Sequence, residues 1–254
     1  EFPEPCISLA VKAKKQGEEE KVFAGLNRLA EEDPSFRIEK SSETSDTLVS
    51  GLGELHLEVI CKKLQNKFGV EAVLSDPQIP YRETIRKKVQ AHGRHKKQSG
   101  GHGQFGDVYI EFEPIYDSDA DFEFVDKVVG GAVPRQYIPA VEKGLRESIT
   151  KGVLAGYPMV KIRATLYDGS SHPVDSSEMA FKIAANLAYK QGCSQANPVL
   201  LEPIYRLEVT IPDEYMGDVI GDINRRRGRI LGMNPVGGLQ QVVAEVPLAE
   251  IFKY

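Results

Sequence analysis

The chain has 254 residues, 41% hydrophobic and 27% charged, with a formal net charge of −5, a composition that excludes collagen-like repeats, coiled coil and wholesale disorder. Its length favours two domains, give or take one, and no apolar run approaches the ~20 residues of a membrane helix. Glu1-Phe2-Pro3-Glu4-Pro5 lacks the basic start and apolar centre of a secretory signal. Three scattered cysteines, Cys6, Cys61 and Cys193, make neither a disulfide framework nor a CxxC metal site, so a reducing cytoplasm is the expected compartment. The first residue is not Met, which leads to the expectation of a longer parent chain.

In chain order, Cys6-Ile7-Ser8-Leu9-Ala10-Val11 reads as a strand. Residues 18–31 place Val22, Phe23, Leu26, Leu29 and Ala30 on one helical face, and Asp33-Pro34 ends that helix. Phe36 and Ile38 alternate with Arg37 and Glu39 in a half-buried strand, and 47–52 is another. Leu57, Ile60, Cys61, Leu64 and Phe68 then form an amphipathic helix that stops at Gly69, before a strand over 70–74. The order βαββαβ at this length is that of a ferredoxin-like sandwich.

Ser75-Asp76-Pro77-Gln78-Ile79-Pro80 is a turn-rich joint. Beyond it come strands over 107–114 and 160–167, and a helix striped by Ile138, Val141, Leu145 and Ile149. A second helix is expected to begin at Asp175 with Glu178 as capping partner and to bury Met179, Ile183 and Leu187. Asn197-Pro198 and Glu202-Pro203 mark another joint. Tyr205, Leu207, Val209 and Ile211 alternate with polar residues in a strand. Residues 213–228 read as a helix ending in Arg225-Arg226-Arg227, and strands follow over 229–233 and 240–247. That is βαββ, so a second split unit lacking its last helix and strand is expected.

Charge is segregated. Between Arg82 and His102 stand Arg82, Arg86, Lys87, Lys88, Arg94, Lys96 and Lys97 against the single acid Glu83, a local +6 within a total of −5. Residues 106–126 hold eight acids and no base. Confined positive charge of this kind can follow a phosphate backbone; two oppositely charged strands pairing across a sheet is the plainer alternative.

Several motifs invite an enzymatic reading and fail on context. Gly101-His102-Gly103-Gln104-Phe105-Gly106-Asp107-Val108 fits GxGxxGxV, but a dinucleotide site needs a strand before and a helix after, and a protein kinase needs a VAIK lysine and HRD and DFG segments, all absent. Asp218-Val219-Ile220-Gly221 has the DxxG spacing of GTPases without a phosphate loop or an NKxD segment. His92, His95 and His102 sit among bases that would repel a metal cation. No catalytic residue, metal ligand or cofactor site is assigned.

Two segments are more specific: Gln98-Ser99-Gly100-Gly101-His102-Gly103-Gln104-Phe105-Gly106 and His172-Pro173-Val174-Asp175-Ser176-Ser177-Glu178-Met179-Ala180-Phe181-Lys182. Together they resemble domain IV of the bacterial elongation factor G family. Leu52-Gly53-Glu54-Leu55-His56-Leu57 is similar to domain III of that family, and Asn197-Pro198-Val199-Leu200-Leu201-Glu202-Pro203 with Arg226-Arg227-Gly228-Arg229-Ile230 to domain V. The resemblance implies an α+β chain of three domains: a ferredoxin-like sandwich (1–75), an arm of the ribosomal-protein-S5-domain-2 type (76–199) and a second, truncated ferredoxin-like unit (200–254).

The resemblance also implies a function. The arm would enter the ribosomal decoding centre and promote movement of tRNA and mRNA, driven by GTP hydrolysis, with Mg, in a domain this sequence does not contain. Contacts would come from Lys96, Lys97, Gln98, Ser99, Gly100, Gly101, His102, Gly103 and Gln104 in one tip loop. Asp168, Gly169, Ser170, Ser171, His172, Pro173, Val174 and Asp175 would make up the other, and Arg225, Arg226, Arg227 and Arg229 would meet large-subunit rRNA. Backbone N–H groups, small polar side chains and lysines suit an A-form helix that must be accepted whatever its codon. The family usually carries Arg where His102 stands and another residue, often His, at Asp107. A cytoplasmic monomer is expected. The alternatives are a relative acting in ribosome recycling or protection, a free-standing RNA-binding protein, and a small-molecule kinase.

Overall fold

The computed structural model describes residues 3–252 and 254. They group into two compact units, one built from the segments up to Pro80 and from Glu202 onward, the other from Tyr81–Leu201.

In the first segment, β1 (Ile7–Ala13), α1 (Glu19–Glu32), β2 (Arg37–Lys40), β3 (Thr47–Gly51), α2 (Glu54–Phe68) and β4 (Ala72–Ser75) form an antiparallel sheet of order β2-β3-β1-β4. This is the ferredoxin-like sandwich read from the sequence. Val22, Leu26 and Leu29 of α1 and Leu57, Ile60 and Leu64 of α2 pack on Leu9, Val11 and Val49. His56 ties the two helices together. Its Nδ1 accepts the Leu52 N–H (3.0 Å) and its Nε2 meets Asp33 at 2.9 Å, which makes Nε2 the protonated nitrogen. The hydrogen bond from the Ser35 hydroxyl is the main cause that holds the Asp33 carboxyl below its usual range; burial opposes it, and the His56 hydrogen bond adds a lesser lowering.

The second unit carries β5 (Arg82–Thr84), β6 (Val89–Lys97), β7 (Gln104–Pro114), β8 (Phe122–Asp126), α3 (Ile138–Ser148), β9 (Ile162–Ser170), α4 (Glu178–Ser194) and β10 (Val199–Leu201). Its main sheet has the order β6-β7-β9-β8, antiparallel except for the parallel β8–β9 pair, while β5 and β10 pair separately. Phe112, Ile110, Leu166, Leu145, Phe181 and Tyr189 are among its core residues.

Helix α4 departs from expectation in two ways. Its N-cap is Ser177, whose side chain accepts the Ala180 N–H at 3.1 Å, and not Asp175. Its buried face is Ala180, Phe181, Ala184, Ala185, Ala188, Tyr189, Gly192 and Cys193, leaving Met179 65% and Leu187 40% exposed. Small residues win that face because the backbones nearly touch. A Cβ added at Gly93 would lie 2.0 Å from the Ala184 carbonyl oxygen, and one at Gly106 2.5 Å from that of Ala180. Gly106, a member of the tempting glycine motif, is therefore a packing residue.

Glu83 is the one acid in the basic stretch and is fully buried. Its carboxylate accepts backbone N–H bonds from Leu154 (2.7 Å), Ala155 (3.0 Å) and Tyr157 (2.8 Å), fixing the loop between α3 and β9 to β5.

The last segment contains β11 (Ile204–Ile211), a 3-10 turn (Asp213–Tyr215), α5 (Met216–Arg225), β12 (Arg229–Val236), β13 (Leu239–Pro247) and a second 3-10 turn (Leu248–Glu250), with the strands in the antiparallel order β11-β13-β12. The helix stops at Arg225, short of Gly228, because Arg227 turns to φ 56° and the Gly228 N–H folds back to the Ile223 carbonyl at 2.9 Å. Among the described residues no helix is long and apolar enough to cross a membrane.

Candidate functional site

Strands β6 and β7 are joined by residues 98–103 and paired up to Lys97 and Gln104, so the later part of the basic stretch and the first part of the acidic one form a hairpin. Cross-strand charge pairing accounts for part of the segregation: Lys88 meets Glu111 at 3.5 Å and Glu113 at 3.8 Å. At the hairpin end, Lys96 and Lys97 lie on β6 itself, exposed, with no ion-pair partner among the described residues, while Gln98, Ser99, Gly100, Gly101 and His102 are exposed in the turn. Gly100 and Gly101 adopt φ of 42° and 149°, which other residues rarely reach. Gln104, expected in the loop, begins β7, and its Oε1 is 2.7 Å from His95 Nε2.

The second predicted segment divides in the same way. Asp168, Gly169 and Ser170 end β9, opposite Tyr109, Val108 and Asp107, so only Ser171, His172, Pro173, Val174 and Asp175 lie in the loop. Both segments sit at one end of the unit and are bonded together. Phe105 N–H donates to the Asp175 carbonyl (2.9 Å), and Ser176 Oγ donates to the Phe105 carbonyl (3.0 Å). The Phe105 ring is flanked by the Arg94 guanidinium at 5.5 Å and the His172 ring at 6.3 Å. Gly103 is also placed against Asp175, where a Cβ would meet Oδ2 at 2.6 Å.

His172 shapes its own loop. Its Nδ1 accepts the N–H groups of Val174 (3.2 Å) and Asp175 (3.0 Å), and its own N–H bonds Ser176 Oγ (2.8 Å). With Nδ1 occupied as an acceptor, Nε2 carries the proton and is the nitrogen available to donate outward.

Sequence reasoning passed over Phe105, Ser176 and Tyr137, whose hydroxyl donates to the Ser176 carbonyl at 3.2 Å. It also passed over the cluster behind the loops: Asp107, buried at the start of β7, takes a hydrogen bond from Ser170 Oγ (2.6 Å) and pairs with His92 Nε2. Of the three imidazoles that could be grouped as a metal triad, two are thus spent separately, His92 on Asp107 and His95 on Gln104. No group of three His, Cys, Asp or Glu among the described residues could hold a metal ion.

The four arginines near α5 differ in availability. Arg227 forks onto Glu202 (2.6 and 3.2 Å) and reaches Glu250 (3.1 Å), which together raise its pKa. Arg226 bonds Asp222 at 2.9 Å and the Glu250 carbonyl, and lies 4.8 Å from the centre of the Tyr254 ring. Arg225 and Arg229 are exposed with no ion-pair partner among the described residues. Two of the four guanidiniums are thus spent inside the protein.

Two ferredoxin-type sheets flank, in sequence, an α+β unit with a basic, glycine-rich tip, and family models match each part: elongation factor G domain III over residues 2–76, domain IV over 77–197 and the elongation factor G C-terminus over 199–254. The chain is thus part of a translation factor. It belongs to the elongation factor G family. A crystal structure of a protein from Thermus thermophilus is similar over 99% of this chain at 47% identity, with a TM-score of 0.86. This chain spans 37% of that one.

Proposed function

We propose that this chain is the part of a ribosomal translocase that contacts the decoding centre. In this reading the two joined loops of the second unit enter the A site beside mRNA and tRNA and promote their movement. GTP hydrolysis elsewhere in a longer protein drives the step, in the cytoplasm and with the factor acting as a monomer. The observation that supports it best is the meeting of the 98–103 and 171–175 loops at one end of the unit, with Lys96 and Lys97 unpaired and the Nε2 side of His172 facing away from its own turn. Such a tip offers phosphate contacts and base-independent hydrogen bonds, which suit a partner whose sequence changes at every step. On the last segment, Arg225 and Arg229 are exposed cations without an ion-pair partner among the described residues, and in this reading they meet rRNA.

The test is binding of the chain to ribosomes as a function of salt. Affinity is expected to fall with salt, and Lys96→Ala and Lys97→Ala are each expected to reduce the slope of log affinity against log salt by about 1. His172→Ala is expected to weaken binding without changing that slope. Salt-independent binding, or binding indifferent to all three substitutions, would overturn the reading.

A further inference from the structure

Asp107 stands where the tip meets the rigid sheet. It is four residues past the glycine turn, and its register partner Ser170 is one residue before the second loop. The carboxylate is almost fully buried and splits its two oxygens, Oδ1 to His92 Nε2 on β6 and Oδ2 to Ser170 Oγ on β9. The imidazole is itself held in place by stacking on Tyr109, with ring centres 4.1 Å apart and planes within 3°. One buried anion thus joins three neighbouring strands at the roots of both loops.

We infer that Asp107 is a positioning residue of the tip: through Ser170 it sets where β9 releases the chain into the His172 loop, and through His92 it fixes that point against β6. The consequence for RNA contact rests on the proposed function; the consequence for loop geometry does not. A buried carboxylate that accepts two hydrogen bonds holds its partners more tightly than a neutral pair would. Asn can serve both partners as well, since its oxygen accepts from His92 while its NH2 donates to Ser170 Oγ; Ala can serve neither.

Hydrogen exchange of the full 254-residue chain reads the effect at named amides. In Asp107→Ala and Ser170→Ala, the N–H groups of His172, Val174 and Asp175, and of Phe105 across the loop junction, should exchange about tenfold faster, as when one hydrogen bond to a charged group is lost. Asp107→Asn should stay within about twofold of the parent. The double variant Asp107→Ala/Ser170→Ala should add little to Asp107→Ala alone, because the Ser170 tie is already cut in it. Amides of α1, α2 and α3 should be unchanged in all of them, and a spin-label distance between positions 99 and 174 should broaden in the Ala variants only. Ser170→Ala keeps the test decisive if Asp107→Ala fails to fold. Faster exchange spread evenly over the unit, no change at those four amides, or failure of Asn to rescue would overturn the inference. Freed loops with undiminished ribosome affinity would uphold the positioning role and count against the RNA-contact reading; lost affinity with unchanged loop exchange would do the reverse.

Discussion

Replacing Glu83 is the sharpest perturbation the fold offers. Its side chain is fully buried, and three N–H donors converge on it, one on Oε1 from Leu154 and two on Oε2 from Ala155 and Tyr157. In Glu83→Gln the amide oxygen can keep the pair at the Oε2 position, but its NH2 then faces the Leu154 N–H, donor against donor. One charge-assisted bond is lost, a cost of about 2 kcal/mol. In Glu83→Ala all three donors lose their acceptor in a space lined closely enough that a Cβ on Gly152 would lie 2.2 Å from the carboxylate carbon. With some relief from entering water, that costs about 4–5 kcal/mol. Urea unfolding followed by a probe in the second unit would show midpoints lowered by about 1 M for Gln and about 2 M for Ala, taking a slope of about 2 kcal/mol per M. An Ala variant within ~1 kcal/mol of the parent, or Gln as damaging as Ala, would refute this account of how the 151–159 loop is held.

Gly93→Ala should cost about 3 kcal/mol or more, since the new methyl meets the Ala184 carbonyl, while Gly221→Ala in α5, with open space around it, should stabilise by about 0.5–1 kcal/mol; thermal melts compare them. Cys6 is exposed and should react with a thiol reagent in the native protein, whereas Cys61, pushed up to about 11 chiefly by burial and then by Glu58, and buried Cys193, pushed up further by burial, should react only on unfolding; mass spectrometry of the labelled peptides decides. The Asp33 carboxyl is held low in the folded state, so its contribution to stability is complete above the unfolded value of about 3.9 and is lost as pH falls through the lower folded value. Asp33→Asn should therefore cost about 1 kcal/mol at neutral pH and flatten the acid limb of the stability profile below about pH 4, read from denaturation midpoints across pH.

The first sheet was legible because its helices use long apolar residues: Leu57, Ile60 and Leu64 recur at helical spacing and stand out against Lys62, Lys63 and Lys67. Helix α4 was legible as a helix but not in its orientation. Most of its core face is Ala and Gly, whose weak hydropathy lost out to Met179 and Leu187 on the other side, although a run of small residues is itself a sign of close backbone approach. The meeting of the two loops followed from the resemblance alone, since 66 residues separate Phe105 from His172. Long-range partners stayed hidden for the same reason: Arg227 reads as a free base until Glu202 and Glu250 arrive from both sides, and Glu83 as one more surface acid until the 154–157 backbone folds over it. His172 was visible as an imidazole, but which nitrogen is spent within the turn depends on backbone directions that no pattern encodes.

The near-contact between α4 and the sheet has a mechanical corollary. At Gly93 and Gly106 carbonyls of the helix rest almost on the strands, so at these two points the layers meet backbone to backbone, with no side chain between them to change rotamer under force. A push delivered to the loops would pass along such a plank with little give, much as a stiff lever returns at one end the displacement imposed at the other.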